Sequence, residues 1–125
     1  MLITMSNYDS RNKISHRAVA REILLSFWKI HILHHAEEGP VSGQWMISEL
    51  REHGYEISPG TLYPLLQRLE RLGWLKSVAD PKRGPKDRKD YRLTRQGSRI
   101  LKHVRLQIKE LHGEVVNHRD KKHKS

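Results

Sequence analysis

Residues 58–75 read SPGTLYPLLQRLERLGWL, and this stretch predicts a short helix with two different faces. Ser58 is a favourable N-cap, because its hydroxyl can accept a hydrogen bond from a free amide of the first turn. Pro59 suits the first helical position, where an N–H would have no partner, and Gly73 is a typical helix end. Leucines recur at helical spacing and form one apolar face: Leu62, Leu65, Leu66, Leu69 and Leu72.

The opposite face of this helix carries groups that can approach a hydrogen-bonding partner, namely Gly60, Tyr63, Gln67 and Arg71. A short capped helix with such a face fits the major groove of DNA, and we call it the recognition helix. We expect Tyr63 to point outward and to contact a phosphate or a base edge, the alternative being that its ring only covers the helix surface. Gln67 and Arg71 are weaker signals, since Arg71 could instead pair with the neighbouring Glu70 or with an acidic residue on another segment.

Pro64 lies in the second turn of the recognition helix. It removes a hydrogen bond to the carbonyl of Gly60 and crowds that carbonyl, and an interior proline costs roughly 3 kcal/mol relative to alanine. A kink and a free carbonyl would change the angle at which the helix meets DNA, so we interpret Pro64 as part of the DNA contact. The alternative is a tolerated kink with no role in binding.

A second short helix precedes the recognition helix. Ser42 can cap it, it is predicted to run to about His53, and Gly54 is its C-terminal stop. Residues 55–57 form a short link to the next helix. Two short helices joined in this way form a helix-turn-helix, in which the second helix contacts the bases.

A β-hairpin is predicted directly after the recognition helix. Residues 74–79 and 91–93 are predicted strands, and the segment between them contains two prolines and a glycine, which indicate a loop. The loop carries a basic set: Lys82, Arg83, Lys86, Arg88 and Lys89. A charge run is usually only a solvated surface, but in this place it is typical of the wing of a winged helix, which contacts the DNA backbone.

Long helices are predicted on both sides of this unit, over residues 17–38 and, after the cap Thr94, over residues 95–116. The second has apolar residues spaced three and four apart, as in a coiled-coil seam. This seam could pack on its own subunit or on a second copy, and we expect a homodimer because it exceeds what one small domain can bury. The predicted interface consists of Leu24, Phe27, Leu101, Val104, Ile108, Leu111 and Val115.

The predicted fold class is therefore mainly α with a small β-hairpin, a winged helix-turn-helix with long N- and C-terminal dimerisation helices. Residues 17–94 are assigned to the DNA-binding domain and residues 95–116 to the C-terminal dimerisation helix. Residues 1–16 are predicted to be a flexible basic arm, and residues 117–125 a disordered basic tail.

Composition favours an anionic partner. The 125 residues include 24 Lys and Arg against 14 Asp and Glu, a formal net charge of +10, which suits nucleic acid best and a membrane surface second. There is no cysteine, and no apolar run is long enough to cross a membrane. The N-terminal sequence lacks the apolar centre of a secretory signal, so we expect a cytoplasmic protein with no membrane partner.

Neither an enzyme nor a metalloprotein is expected. No phosphate-binding glycine loop, catalytic triad or paired carboxylates can be identified. His31, His34 and His35 are spaced so that two rings could share a face, but no carboxylate or thiol recurs with them at ligand spacing. We interpret them as satisfied or solvent-facing histidines near a helix C-terminus, and we predict no cofactor and no metal.

The residues also resemble a known family. The segments GPVSG at 39–43, SPGTLYPLLQRLERLGWL at 58–75 and YRLTRQG at 91–97 are similar to the PadR family of bacterial transcriptional regulators, in register over roughly residues 20–112. The resemblance implies a winged helix-turn-helix, a homodimer formed through the terminal helices and repression at a palindromic operator. The single C-terminal helix resembles that of the shorter members. The family's characteristic positions correspond here to Gly60, Thr61, Leu62, Tyr63 and Pro64.

The chain departs from the family pattern in the second short helix. Family members often carry an aromatic residue at the positions of Ser42 and Gln44, and Trp45 is the nearest substitute here. This leaves open how that helix approaches DNA. The family also often senses phenolic or drug-like compounds in the dimer, and Trp28 and Trp45 could line such a pore or belong to the core.

The predicted function is a homodimeric DNA-binding regulator, most simply a repressor at a palindromic operator on double-stranded DNA, with possible release by a small-molecule effector. DNA contacts are predicted for Ser58, Gly60, Thr61, Tyr63, Pro64, Gln67, Arg71, Lys82, Arg83, Lys86, Arg88 and Lys89. One alternative is a winged-helix module that binds an acidic protein, which would more readily carry an apolar patch in place of the Tyr63 face. The other is a non-specific nucleic-acid binder, which would bind many duplexes equally at fixed salt.

Overall fold

The computed structural model describes residues 15–78 and 89–117. Helix α1 comprises α-helical His16–Val19, a π-helical turn Ala20–Leu24 and α-helical Leu25–Glu38. It is followed by strand β1, Val41–Ser42, and by helices α2, Gly43–Glu52, and α3, Pro59–Arg71. Strands β2, Leu75–Val78, and β3, Asp90–Leu93, lead to helix α4, Arg95–Val115. The N-terminal arm up to residue 14, the wing tip 79–88 and the tail from residue 118 lie outside the described residues, and with them the predicted contacts of Lys82, Arg83, Lys86 and Arg88.

Helix α1 confirms the long first helix predicted over 17–38, with a change at its start. It begins at His16, because the hydroxyl of Ser15 accepts a hydrogen bond from the amide of Ala18 at 3.1 Å. The N-terminal arm predicted over residues 1–16 therefore ends no later than Ser15. The π-helical turn Ala20–Leu24 has no signal in the sequence pattern, because it changes the helical register without interrupting the helix.

Helices α2 and α3 confirm the helix-turn-helix. The hydroxyl of Ser42 accepts from the amide of Trp45 at 3.0 Å and caps α2, and the guanidinium of Arg51 donates to the carbonyl of Ile57 at 3.2 Å across the turn. Ser58 precedes α3 as predicted, but its hydroxyl lies 3.4 Å from that of Thr61 and makes no capping bond to an amide. The sequence therefore identified the helix start correctly and its capping contact wrongly.

The sheet has three antiparallel strands in the order β1-β3-β2. Leu75 faces Leu93 and Lys76 faces Arg92 across the predicted hairpin. The third strand, β1, was not predicted; it pairs Val41 with Tyr91 just before the cap of α2. A two-residue strand has too few positions for an alternating pattern, so only its pairing with β3 makes it a strand.

The core lies between α1, α2, α3, the sheet and the start of α4. Its fully buried side chains are Ile32, Leu33, Met46, Leu50, Ile57, Leu62, Leu66, Leu69, Leu75 and Leu101. At the base of α4, the hydroxyl of Thr94 accepts from the amide of Gly97 at 2.9 Å, which confirms the predicted cap. A Cβ at Gly97 would collide with the carbonyl oxygen of Trp74, so this glycine permits close packing of α4 on the chain just before β2.

Two predicted dimer-interface residues are buried within the single chain. Leu101 is 0% exposed and Leu24 is 8% exposed, both in the core. Leu101 therefore has no accessible surface left to bury against a second subunit, and Leu24 has little. Burial therefore falls along the seam of α4: Leu101 is in the subunit core, Val104 is half-buried, and Ile108, Leu111 and Val115 are exposed.

Candidate nucleic-acid interface

The outward face of α3 is open to solvent. Its exposed residues, with those just before it, are Ser58, Pro59, Gly60, Pro64, Gln67, Arg68 and Arg71, and Thr61 is half-buried. A Cβ built at Gly60 would have only the Ser58 hydroxyl within reach, at 3.8 Å, so the N-terminal turn of α3 can be approached closely by a partner. Leu72, predicted for the buried face, is 39% exposed because it lies just after the helix.

Tyr63 does not point outward as the sequence predicted. It is half-buried and packs against the hydrophobic core. A Cβ on Gly43 would lie 2.5 Å from Cε1 and 3.0 Å from the hydroxyl oxygen of Tyr63. The ring therefore occupies the space left by Gly43 at the start of α2 and joins the two helices of the helix-turn-helix, while its partial exposure leaves one edge accessible.

Glu70 connects the recognition helix to the sheet. Its Oε2 accepts hydrogen bonds from the hydroxyl of Ser77 at 2.6 Å and from the Ser77 amide at 3.1 Å. The Ser77 hydroxyl bond is the main cause that lowers the pKa of Glu70, and the charge of Lys89 contributes in the same direction against the opposing effect of burial. This carboxylate oxygen is thus engaged by β2, which argues against the alternative that Glu70 holds Arg71.

The base of the wing carries cations that the sequence pattern did not single out. Lys76 and Arg92 are exposed and directly opposite each other on β2 and β3. They add to Lys89, a member of the predicted basic set, which is exposed just before β3. Like charges directly opposite in a sheet are destabilising unless an anion compensates. The alternation along the strands, apolar at Leu75 and Leu93 and basic at Lys76 and Arg92, could have indicated these two cations from the sequence. The exposed Arg68 of α3 could likewise have been identified from its position next to Gln67.

An apolar groove lies between α1 and α4, on the surface predicted for dimerisation. Its volume is about 380 Å³, with Leu101 at its base, and its rim includes Phe27, Ile30, Ile108 and Leu111. Phe27 is 43%, Ile108 42% and Leu111 55% exposed; Val115 is also exposed and Val104 is half-buried. Ile23 and Leu106 add exposed apolar surface beyond the predicted interface.

Arg105 joins the two helices at the edge of this groove. Its guanidinium donates to the carboxylate of Glu37 at 2.9 Å and to Nδ1 of His34 at 3.0 Å. The ion pair is close to half exposed, so its contribution to stability is small. Its main effect is to hold the side chain of Arg105 beside the groove.

Neither tryptophan lines this groove. Trp28 is 3% exposed and lies in the core, whereas Trp45 is 45% exposed at the start of α2. Trp45 instead borders a separate cleft of about 360 Å³ with His35, Pro40 and Asp90. Trp28 therefore belongs to the core, the alternative that the sequence left open for it, and Trp45 borders a different surface.

Of the histidines of α1 that were predicted to be satisfied or solvent-facing, His35 is neither. His35 is 8% exposed, and neither of its ring nitrogens has a hydrogen-bond partner among the described residues. His31 is half-buried, and its pKa is lowered to about 4, first by burial and then by the neighbouring His53, His35 and His34. The sequence could not indicate His53 as a neighbour, because it lies beyond the end of α2.

None of the helices within residues 15–78 and 89–117 is long and apolar enough to cross a membrane.

The chain is similar to several known proteins. The model of the transcriptional regulator PadR-like family matches residues 32–103. The transcriptional regulator Rv3488 of Mycobacterium tuberculosis is 44% identical over 96 residues, which are 77% of this chain and 89% of that protein. A PadR-like transcription factor from Bacteroides fragilis is 31% identical with a TM-score of 0.67, over 81% of this chain and 97% of the other. A PadR family regulator from Eggerthella lenta is 32% identical with a TM-score of 0.64, over 82% and 93%.

Proposed function

Because this chain belongs to the PadR-like family of transcriptional regulators, we propose that it binds double-stranded DNA as a homodimer and represses transcription at a palindromic operator. The proposal starts from family membership and the winged helix-turn-helix fold. It adds which residues contact DNA, that the protein is a dimer, that the operator is symmetric and that the protein represses transcription.

The exposed face of α3 is the observation that carries the proposal. Gly60, Gln67 and Arg71 are open to solvent on a helix whose other side is buried in the core. Such a helix can enter a major groove without disturbing core packing, and Gln and Arg can form bidentate bonds with adenine and guanine. Ser58, Thr61 and Pro64 at the start of α3 are proposed to meet the backbone and the groove edge.

The wing is proposed to hold the DNA backbone beside the recognition helix. Ser77 of β2 is hydrogen-bonded to Glu70 of α3, so the base of the wing lies near the C-terminal half of α3, and the charge of Lys89 helps to lower the pKa of Glu70. Lys76 and Arg92 add positive charge to the same hairpin. The tip residues Lys82, Arg83, Lys86 and Arg88 extend this basic segment along the sequence, and phosphate contacts of this kind strengthen binding to any duplex.

The homodimer is proposed to form through the apolar surface of α1 and α4. Phe27, Ile108, Leu111 and Val115 are exposed apolar residues along this surface, and Val104 adds to it. An apolar surface of this extent on a single subunit is typical of an interface. In a two-fold dimer the same surface meets itself, so the two α3 helices would reach half-sites about one DNA turn apart.

An effector, if the protein has one, is proposed to bind in the groove between α1 and α4. A volume of about 380 Å³ lined mainly by apolar side chains suits a small apolar compound. Since the groove lies within the proposed dimer surface, its occupant would change the separation of the two recognition helices. We also propose a cytoplasmic location, because that is where a bacterial regulator of this kind meets DNA.

The experiment is a selection from a random duplex library at stated salt concentration, followed by binding measurements on the selected and scrambled sequences. A two-fold symmetric site preferred by at least a hundredfold supports the proposal. Equal binding to all duplexes would favour a non-specific nucleic-acid binder. Absence of binding to any duplex would favour a protein-interaction module. Reporter expression from the selected site, with and without the protein, distinguishes repression from activation.

A further inference from the structure

Three histidines from two helices meet beside the helix-turn-helix. Ring nitrogens of His31, His35 and His53 lie within 4.8 Å of one another. His31 and His35 are one helical turn apart on α1, and His53 follows the end of α2. The ring centres of His31 and His53 are 5.3 Å apart and those of His35 and His53 are 6.2 Å apart. The three rings therefore converge on one small volume.

The burial of His35 costs free energy unless a partner binds its ring nitrogens. Its side chain is 10% exposed, and both ring nitrogens are buried with no hydrogen-bond partner among the described residues. The nearest carboxylates, those of Glu38 and Glu49, lie 3.7 and 3.6 Å away, beyond hydrogen-bond distance. A buried polar group without a partner costs free energy, and a bound ion is one of the ordinary explanations for such a group.

We propose that His31, His35 and His53 form a binding site for a divalent transition-metal ion of the kind that prefers imidazole, such as Zn²⁺. Three histidines with a fourth position open to water are a common zinc arrangement. Zinc–nitrogen bonds of about 2.0–2.1 Å place tetrahedral ligands about 3.3 Å apart. The ring nitrogens lie within 4.8 Å of one another, so binding one ion requires these separations to shorten by up to about 1.5 Å.

Glu49 is proposed to position His53. The Nε2–H of His53 donates to Oε2 of Glu49 at 3.1 Å, which leaves the other ring nitrogen free to bind the ion. A carboxylate on the distal nitrogen of a ligating histidine fixes the ring orientation and strengthens it as a ligand. His31 and His53 are half-buried, so the ion can enter from solvent.

A neighbouring group, His34, His35 and Glu38, is also compact but fits an ion less well. Nδ1 of His34 already accepts a hydrogen bond from the guanidinium of Arg105 at 3.0 Å, and that cation would repel a metal ion. Glu38 is mostly exposed, with 66% of its side chain accessible. The cluster containing His53 is therefore the better site, and its ion would link α1 to the end of α2.

The test uses full-length protein freed of any affinity tag and treated with a chelator that is then removed. Zn²⁺ is titrated by calorimetry, and Co²⁺ by visible absorption, in which tetrahedral coordination gives intense bands. We expect one ion per chain, a Zn²⁺-dependent rise in Tm and tetrahedral Co²⁺ bands. His53→Ala and His31→Ala should each weaken binding at least tenfold, and Glu49→Gln about tenfold.

Matched controls separate this site from other histidines. His103→Ala removes an exposed histidine of α4, and His118→Ala with His123→Ala removes the histidines of the C-terminal sequence; none of these should change the affinity. Circular dichroism of the metal-free variants establishes that they fold. If His53→Ala does not fold, the Co²⁺ spectrum of the unmodified protein together with Glu49→Gln and His31→Ala decides the question.

Two results would overturn the proposal. One is the absence of Zn²⁺ binding at micromolar concentrations or a Co²⁺ spectrum of the weak octahedral type. The other is unchanged affinity when His31 and His53 are both replaced in a folded variant. The site does not depend on the proposed repressor function, since none of these measurements involves DNA.

Discussion

The ring of Tyr63 lies directly over Gly43, so that a Cβ at Gly43 would come within 2.5 Å of Cε1 of the ring. Gly43 is the first residue of α2 and Tyr63 belongs to the second turn of α3. The contact thus joins the start of one helix of the helix-turn-helix to a half-buried side chain of the other. The orientation of the recognition helix consequently depends on the absence of a side chain at residue 43.

Gly43→Ala is expected to destabilise the protein by about 1–3 kcal/mol, because the added methyl displaces a half-buried ring. The measurement is the free energy of unfolding by urea. Gly60→Ala is the matched control, since a Cβ there meets only the Ser58 hydroxyl at 3.8 Å and alanine is the better helical residue. A Gly43→Ala variant as stable as its Gly60→Ala counterpart would show that Tyr63 moves aside at no cost.

Tyr63→Phe and Tyr63→Ala separate packing from DNA contact. Tyr63→Ala should lower stability by roughly 1–3 kcal/mol, because it removes a half-buried ring, whereas Tyr63→Phe keeps the ring and should be nearly neutral. If the hydroxyl contacts DNA, Tyr63→Phe will weaken operator binding by about 1 kcal/mol. Unchanged operator affinity in folded Tyr63→Phe would mean that the residue acts by packing alone.

Ser77→Ala is expected to destabilise the protein at neutral pH but not in acid. The hydrogen bonds to Glu70 lower the pKa of Glu70 in the folded state. Their contribution is therefore present above the ordinary value of 4.5 and is lost as the pH falls below it through the folded-state pKa. Urea unfolding at pH 7 and below pH 4.5 should show the difference between the two proteins shrinking; a constant difference would contradict this linkage.

Ile108→Asp together with Leu111→Asp should produce a folded monomer, because both residues are exposed in the single chain and a charge would be desolvated only in the dimer. Sedimentation measures the mass, and circular dichroism measures folding. Leu101→Asp provides the contrast: it places a charge in the subunit core and should unfold the chain. Sedimentation of the unmodified protein as a monomer at tens of micromolar would remove the dimer from the proposal.

Lys86→Ala together with Lys89→Ala should weaken binding to operator and random duplex about equally. The slope of log K against log salt should flatten by roughly 0.9 for each DNA phosphate that the variant no longer neutralises. Lys109→Ala is the matched control, an exposed lysine on α4 away from the wing. An unchanged slope in the double variant would mean that the wing is a solvated loop.

Local patterns predicted the elements well, because a helix start or stop depends on neighbours in the chain. The caps at Ser42 and Thr94 form the predicted hydrogen bonds, and α3 ends before Gly73, whose φ of 82° suits glycine. The leucines of α3 are buried where the helical period indicated, except for Leu72. Motif order was then enough to assign the winged helix-turn-helix.

What the sequence by itself determined is therefore which residues form each element and which side of it is apolar. Only the tertiary structure decided what each side meets, because periodicity identifies a face and not its partner. Leu101 and Ile108 continue one seam, yet one is in the core and the other is exposed. Tyr63 is half-buried because Gly43 is distant in sequence but adjacent in space. His53 likewise is distant in sequence from His31 and His35 but adjacent to them in space. Side chains that converge from separate helices have no regular spacing in the sequence, so the sequence pattern cannot indicate their contact.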